Sequence, residues 1–251
     1  MKQEYHFLVR VFKDITGIDL SYYNQAQVVR RLEPMLQKYG TFQQLALNMT
    51  DDSRLVQEAM NRITIHFSEF FRDRSFWTTL TRLVKELSNK THHINAWSVG
   101  CGNGEEAWTL AFVLAEALPQ GNYSIVASDI DPDALKTASG GLYSRLKGMS
   151  VAQAQVSKYF TEHSQGYKVK DMFHKQVTFF KHDLIKDPFP HNLHLILCRN
   201  VMIYFRQGIK EKVGEKMAAA LVDGGLLCLG STEYIDIQDF SGRADNNIYI
   251  K

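Results

Sequence analysis

Residues 94–106 read Ile94-Asn95-Ala96-Trp97-Ser98-Val99-Gly100-Cys101-Gly102-Asn103-Gly104-Glu105-Glu106. The first six are short and apolar-rich, as a buried strand is, and three glycines at alternate positions then suit a sharp turn. A helical stretch follows at once, from Glu105 to about Leu118, and then a second strand, Ser124-Ile125-Val126-Ala127-Ser128. This is a β-loop-α-β unit, the opening of a doubly wound, Rossmann-like α/β sheet. Further out, Asp131 to Ser139 reads as a helix, with Asp131 as its cap and Pro132 in its first turn. Leu193 to Leu197 is a buried strand and Gly208 to Leu221 an amphipathic helix. Gly224-Gly225 turns into Leu226-Leu227-Cys228-Leu229-Gly230, and Asn246 to Ile250 makes a last strand.

The stretch from Met149 to Asp183 fits this alternation poorly. Val151 to Phe160 is helical, whereas Tyr167 to Lys170 and Gln176 to Phe180 read as two short strands joined by a tight turn. A small antiparallel β insertion at the sheet edge, about 159–180, is expected. Upstream of residue 93 no strand-like alternation occurs. Tyr5 to Thr16 has apolar residues at Phe7, Leu8, Val11, Phe12 and Ile15, a helical stripe. A second helix, Tyr22 to Lys38, ends at Gly40, and Pro34 is expected to kink or divide it. Thr41 to Leu47 and Ser53 to Ile65 are further helices. The organisation expected is a small all-helical N-terminal domain over 1–75, followed by an α/β domain over 76–251.

Composition bounds the partners. With 45% hydrophobic and 22% charged residues among 251, the chain is globular. Twenty-nine basic against twenty-seven acidic side chains give a net charge of +2, which argues against bulk nucleic-acid binding. No apolar run reaches the roughly 18 residues of a membrane span. Cys101, Cys198 and Cys228 have neither zinc-type spacing nor an even count, so no metal site is expected and a cytoplasmic home is the simplest.

The glycine loop narrows the ligand. Gly100, Gly102 and Gly104 allow close backbone approach, but a dinucleotide fingerprint needs its third glycine three residues after the second. Glu105 and Glu106 stand here instead, and two carboxylates on the first helical turn would repel a pyrophosphate. They suit a cofactor with a positive centre and an amino group, such as S-adenosylmethionine, unless they merely complement the helix dipole. Asp129, closing the second strand, stands where an acid meets cofactor ribose hydroxyls.

An ordered series of motifs then points to one family. Phe67-Ser68-Glu69-Phe70-Phe71-Arg72-Asp73, the glycine loop, Ala127-Ser128-Asp129-Ile130-Asp131, Cys198-Arg199-Asn200-Val201-Met202-Ile203-Tyr204-Phe205 and Gly230-Ser231-Thr232-Glu233 follow one another. Together they resemble the CheR-type chemotaxis receptor methyltransferases, which esterify glutamate side chains of methyl-accepting chemotaxis receptors. The resemblance spans nearly the whole chain. It implies an S-adenosylmethionine-dependent protein-glutamate O-methyltransferase that releases S-adenosyl-L-homocysteine. It also implies cofactor contacts from Ser68, Arg72, Glu106, Asp129, Asp183, Leu184, Cys198 and Arg199. Arg72 and Tyr204 match the groups beside the transferring methyl. His66 and Asp183 stand at cofactor-contact positions where the family has asparagine, and His194 replaces an acid.

Two other readings compete. One is a methyltransferase of another substrate class, RNA or a small molecule; the other is a divergent S-adenosylmethionine-binding module that docks receptors without turnover. A balanced N-terminal charge argues against RNA. Intact Arg72, Tyr204 and glycine loop argue against the module. The expected partner is the receptors' cytoplasmic helices, met by a monomer through Arg30 and Arg31. The short turn Asp171 to Lys175 leaves little room for an added peptide strand, so no tight binding of a receptor tail is expected.

Overall fold

The computed structural model describes residues 2–64, 68–118, 121–146, 153–245 and 247–251. Two compact units emerge: Met1–His66 with Tyr204–Lys210, and Phe67–Ile203 with Glu211–Lys251. The seam expected at residue 75 therefore lies earlier, and a seven-residue stretch from the far end of the chain joins the helical unit.

That unit is built from α1 (Lys2–Thr16), α2 (Gln25–Tyr39), α3 (Phe42–Asp51) and α4 (Ser53–Ile63). Leu8, Phe12, Leu32, Leu45 and Ile63 fall on inward faces and are buried. Thr41 and Gln44 form a reciprocal capping box at α3, and Asp52 caps α4 by accepting from the Arg54 N–H at 2.9 Å. α2 continues through Pro34, which lies on its exposed side, so the proline does not divide the helix. Residues 204–206 return to the start of α2. The Asn24 N–H donates to the Tyr204 carbonyl at 2.8 Å and the Arg206 N–H to that of Tyr22 at 3.0 Å, while the Tyr23 and Phe205 rings meet edge-on at 5.3 Å.

The larger unit opens with α5 (Arg74–Ser88), β1 (Ile94–Val99), α6 (Glu105–Ala117), β2 (Tyr123–Asp129) and α7 (Pro132–Gly140). β3 (Leu142–Tyr143), α8 (Gln153–Tyr159), β4 (Phe160–His163), β5 (Gly166–Val169) and α9 (Asp171–His174) follow. Next come β6 (Val177–Lys181), β7 (Leu193–Cys198), α10 (Gln207–Ala220), β8 (Leu221–Leu229), β9 (Gly242–Ala244) and β10 (Ile248–Ile250). The main sheet runs β6-β2-β1-β7-β8-β10-β9. Its first five strands are parallel, and β10 lies antiparallel to both β8 and β9. Ala96 at the centre pairs with Ile125 on one side and Leu195 on the other. Strand order reverses between β1 and β7, so a crevice opens beyond their carboxyl ends, where such sheets bind ligands. α6 is almost wholly buried, with Trp108, Leu110, Phe112 and Leu114 inaccessible.

The expected insertion is corrected in its pairing. β5 does not form a hairpin with β6. It pairs with β4 and β3 in a separate three-stranded antiparallel sheet spanning 142–169, and β6 joins the main sheet in parallel with β2. Phe160 to His163, where the expected helix ends and the insertion begins, forms a strand that exposes three of its four residues, so no apolar alternation marks it. Asp171 to His174 is a short helix rather than a hairpin turn. The turn in the small sheet lies at Ser164-Gln165, so Asp171 to Lys175 sets no limit on a peptide strand added there.

Candidate active site

The carboxyl ends of β1, β2 and β7 bring together the glycine loop, Glu106, Asp129, Cys198 and Arg199. The loop after β1 places Gly100, Gly102 and Gly104 at φ of 60°, 52° and 96°. At Gly104 a Cβ would also stand 2.8 Å from the Ala138 Cβ and 3.0 Å from the Tyr143 hydroxyl, so the loop packs against α7 and β3 only because the side chain is missing. Asp129 holds the loop from below. Its Oδ2 accepts from the Gly102 N–H at 2.7 Å and its Oδ1 from the Asp131 N–H at 3.0 Å. The acid thus shapes the cradle.

The first turn of α6 carries Glu105 and Glu106, both largely withdrawn from water. Glu106 accepts from Arg199 Nη1 at 3.1 Å, and Arg199 Nη2 also pairs with Asp73. The Arg199 guanidinium lies 4.1 Å from the centre of the Phe76 ring, with only 3% of its side chain exposed. Burial pushes the Glu106 carboxyl above its ordinary pKa, and the positive charges of Arg199 and Arg72 oppose that rise. Cys198 is wholly buried at the end of β7, and burial pushes its thiol up, so it packs in the interior there as a small neutral side chain.

Arg72 sits on a constrained segment. Phe71 and Asp73, on either side, are non-glycine residues in the left-handed region at φ of 53° and 61°. Phe70 anchors the run by meeting Tyr143 and Phe160 edge-on at 5.0 and 5.1 Å, and the Phe71 N–H donates to Thr109 Oγ1 at 3.2 Å. Trp77 Nε1 donates to the Arg72 carbonyl at 2.8 Å. Strain of this kind persists where surrounding packing over-determines the backbone, and it concentrates at functional sites. Ser68 is half-buried just upstream, and His66 lies outside the described residues.

Asp183 and Leu184 lie beyond β6. Leu184 is buried, and Asp183 Oδ1 accepts from the Ile185 N–H at 2.9 Å, so this carboxylate organises its own turn. Tyr204 belongs to the helical unit, where the Arg31 guanidinium stacks 4.3 Å from its ring centre and also donates to the Ile63 carbonyl. Arg30 is exposed on α2 and Arg31 half-buried, so the two expected receptor contacts differ in setting.

Two contributors escaped the sequence reading. Tyr143 donates to the Asn103 carbonyl at 2.7 Å, tying the small sheet to the glycine loop. Lys216 Nζ reaches the carbonyls of Ile185 and Asp187 at 3.3 and 3.1 Å and lies 4.2 Å from the Phe189 ring centre, holding the turn that carries Asp183 and Leu184. Both act through backbone carbonyls, which no side-chain motif records. The donor set fits an S-adenosylmethionine-type ligand: carboxylates at Glu106 and Asp129 for ammonium and hydroxyls, and glycine backbone for close approach. Among the described residues no group of three His, Cys, Asp or Glu is disposed to hold a metal ion, and no helix is long and apolar enough to cross a membrane.

The chain has counterparts among known proteins. The family model described as CheR methyltransferase, SAM binding domain, matches residues 66–246, and the CheR methyltransferase all-alpha domain matches residues 3–64. The chain is similar to a chemotaxis protein methyltransferase of Listeria monocytogenes serovar 1/2a, 32% identical over 257 residues that cover 100% of this chain and 98% of that one. Chemotaxis protein methyltransferase 1 of Vibrio cholerae serotype O1 is 30% identical over 250 residues, 92% of this chain and 89% of that one. A chemotaxis protein methyltransferase of Borreliella burgdorferi is 27% identical over 252 residues, 93% and 89%.

Proposed function

The chain belongs to the CheR methyltransferase family, with S-adenosylmethionine as its cofactor, and on that premise we propose that it esterifies glutamate side chains on the cytoplasmic helices of methyl-accepting chemotaxis receptors. The observation that carries the reading is the Phe71-Arg72-Asp73 segment. Two residues in the left-handed region constrain the backbone of an arginine whose charge is felt at Glu106, and a guanidinium suits a carboxylate substrate.

When bound, the cofactor supplies a methyl group on a sulfonium, open to in-line displacement. A carboxylate is already a sufficient nucleophile for that reaction, so no general base is required of the protein. The task left to the residues is positioning, worth up to about 7–11 kcal/mol when reactants are held in near-attack geometry. Arg72 binds the substrate carboxylate with its paired N–H groups, and the Tyr204 phenol orients it. Glu106 and Asp129 hold the cofactor's amino and ribose groups, while Ser68, the Asp183-Leu184 turn and the buried Cys198-Arg199 strand end complete its pocket.

The test is a methylation assay with receptor cytoplasmic fragments and cofactor labelled on its methyl. Label on receptor glutamates that is released as methanol by mild base is the expected result. Label that resists base, or that appears on RNA or a small acceptor instead, overturns the substrate assignment.

A further inference from the structure

The turn from Asn200 to Ile203 is held by a carboxylate about thirty residues further along the chain. Glu233 is 5% exposed, and its two oxygens accept from three backbone donors. Oε2 accepts from the Asn200 N–H at 2.7 Å and from the Gly230 N–H at 2.7 Å, and Oε1 from the Ile203 N–H at 3.1 Å. Asn200 stands in the left-handed region at φ 61°, so the chain turns sharply as it leaves Arg199. Gly230 leaves room for the arrangement. A Cβ there would lie 2.7 Å from Glu233 Oε2 and 3.0 Å from the Asn200 nitrogen. Asn247 closes the cluster from the other side, its Nδ2 donating to the Gly230 carbonyl at 2.6 Å and to that of Glu233.

We propose that Glu233 is a positioning residue for methyl transfer: it fixes the backbone from Asn200 to Ile203, the stretch that follows the cofactor-side Arg199 and precedes Tyr204 in the chain. This rests on the reading above, in which Tyr204 orients the substrate carboxylate. The chemistry of the three bonds makes the role separable from simple stability. Every partner is an N–H, so both carboxylate oxygens must accept. Glutamine has one accepting oxygen and one donating NH2. Placed at Oε2, the NH2 would face two N–H groups; placed at Oε1, it faces only that of Ile203. Glu233→Gln therefore keeps the Asn200 and Gly230 bonds and loses the one at Ile203, next to Tyr204. Glu233→Ala loses all three.

Isothermal calorimetry with S-adenosylhomocysteine, receptor methylation kinetics and residue-resolved amide exchange separate the possibilities. Glu233→Gln is expected to bind S-adenosylhomocysteine within about threefold of the wild type while kcat falls about tenfold or more, the scale set by one buried hydrogen bond left unmade. Its Ile203 amide should exchange faster while that of Asn200 stays protected. Glu233→Ala should lose cofactor affinity as well. A wild-type kcat in Glu233→Gln, or equal losses in affinity and kcat, overturns the proposal. So does an unprotected Ile203 amide in the wild-type protein, a measurement that needs no variant to fold. Wild-type protein that binds S-adenosylhomocysteine yet leaves receptors unmethylated refutes the substrate reading instead, and the exchange data then decide the role of Glu233 separately.

Discussion

Arg199 and Glu106, ninety-three residues apart, form an ion pair at 3.1 Å with 3% and 16% of their side chains exposed. The pair links the end of β7 to the start of α6 across the point where the strand order reverses. Breaking a buried pair from one side leaves the other charge without compensation, at a cost of about 3–5 kcal/mol. Arg199→Met should destabilise the fold by that order at neutral pH. The loss should shrink in acid, because burial already holds the Glu106 carboxyl above its ordinary value and removing the arginine raises it further. A carboxyl whose folded pKa is raised contributes fully below its unfolded pKa, and that contribution is lost as pH rises through the folded value. Urea denaturation of the variant at pH 5 and pH 8 checks the sign: the deficit must be larger at pH 8.

Asp129 combines two roles, and a single variant exposes both. Its carboxylate holds the Gly102 and Asp131 N–H groups, and in the proposed function it meets the cofactor ribose. Asp129→Ala should weaken S-adenosylhomocysteine binding by at least about tenfold, since hydrogen bonds to a charged group are worth about 1.5–3 kcal/mol each. It should also lower the melting temperature of the unliganded protein, because the loop loses its support. Unchanged affinity by calorimetry refutes the ribose contact; unchanged melting refutes the loop-holding role.

The fold was legible where burial imposes a pattern. The apolar runs of β1 and β7, the glycines between β1 and α6, and the Asp131-Pro132 helix start each have one inexpensive structural solution, and the structure adopts it. Pairing was less legible. Val177 to Lys181 has the composition of a strand, but nothing in it chooses between a hairpin partner and the parallel edge beside β2, a choice made by long-range packing. The return of residues 204–206 to the start of α2 depends on backbone bonds, which no side chain announces. For the candidate site, the sequence named the acids and arginines but not their mutual engagement. That Glu106 meets Arg199, and that Arg31 meets Tyr204, follows from tertiary proximity alone.

Arg72 and Tyr204 carry the proposed reaction, and their variants should report on geometry rather than on stability. Arg72→Ala and Tyr204→Phe should each lower kcat for receptor methylation about ten- to a hundredfold, as lost bonds to a charged substrate group would. Arg72→Ala should also raise the cofactor KM, since its charge acts on Glu106. Tyr204→Phe retains the ring over which Arg31 stacks, so its folding should be unaffected. Rates near the wild type in both variants at saturating cofactor refute the assignment.

Arg30 and Arg31 adjoin on α2, yet their settings predict a salt-dependent defect at the first and a salt-independent one at the second. Arg30 is exposed, whereas Arg31 is half-buried, stacked on Tyr204 and bonded to the Ile63 carbonyl that closes α4. An exposed charge facing the acidic helices of a receptor acts mainly on the association rate, and ions screen it over about 10 Å at 0.1 M. Arg30→Glu should therefore slow methylation at low salt, with the difference from wild type shrinking as salt rises. Arg31→Glu removes a cation from an aromatic face and leaves a backbone acceptor unmet, losses that salt does not repair. Its rate should stay depressed at every ionic strength, with a lower melting temperature. Methylation rates of both variants at about 10 mM and 300 mM salt distinguish the two roles, because the Debye length falls several-fold between them. Parallel salt curves for the two would mean that the pair acts as one receptor-facing patch, and a salt-independent Arg30→Glu defect would remove Arg30 from the receptor interface.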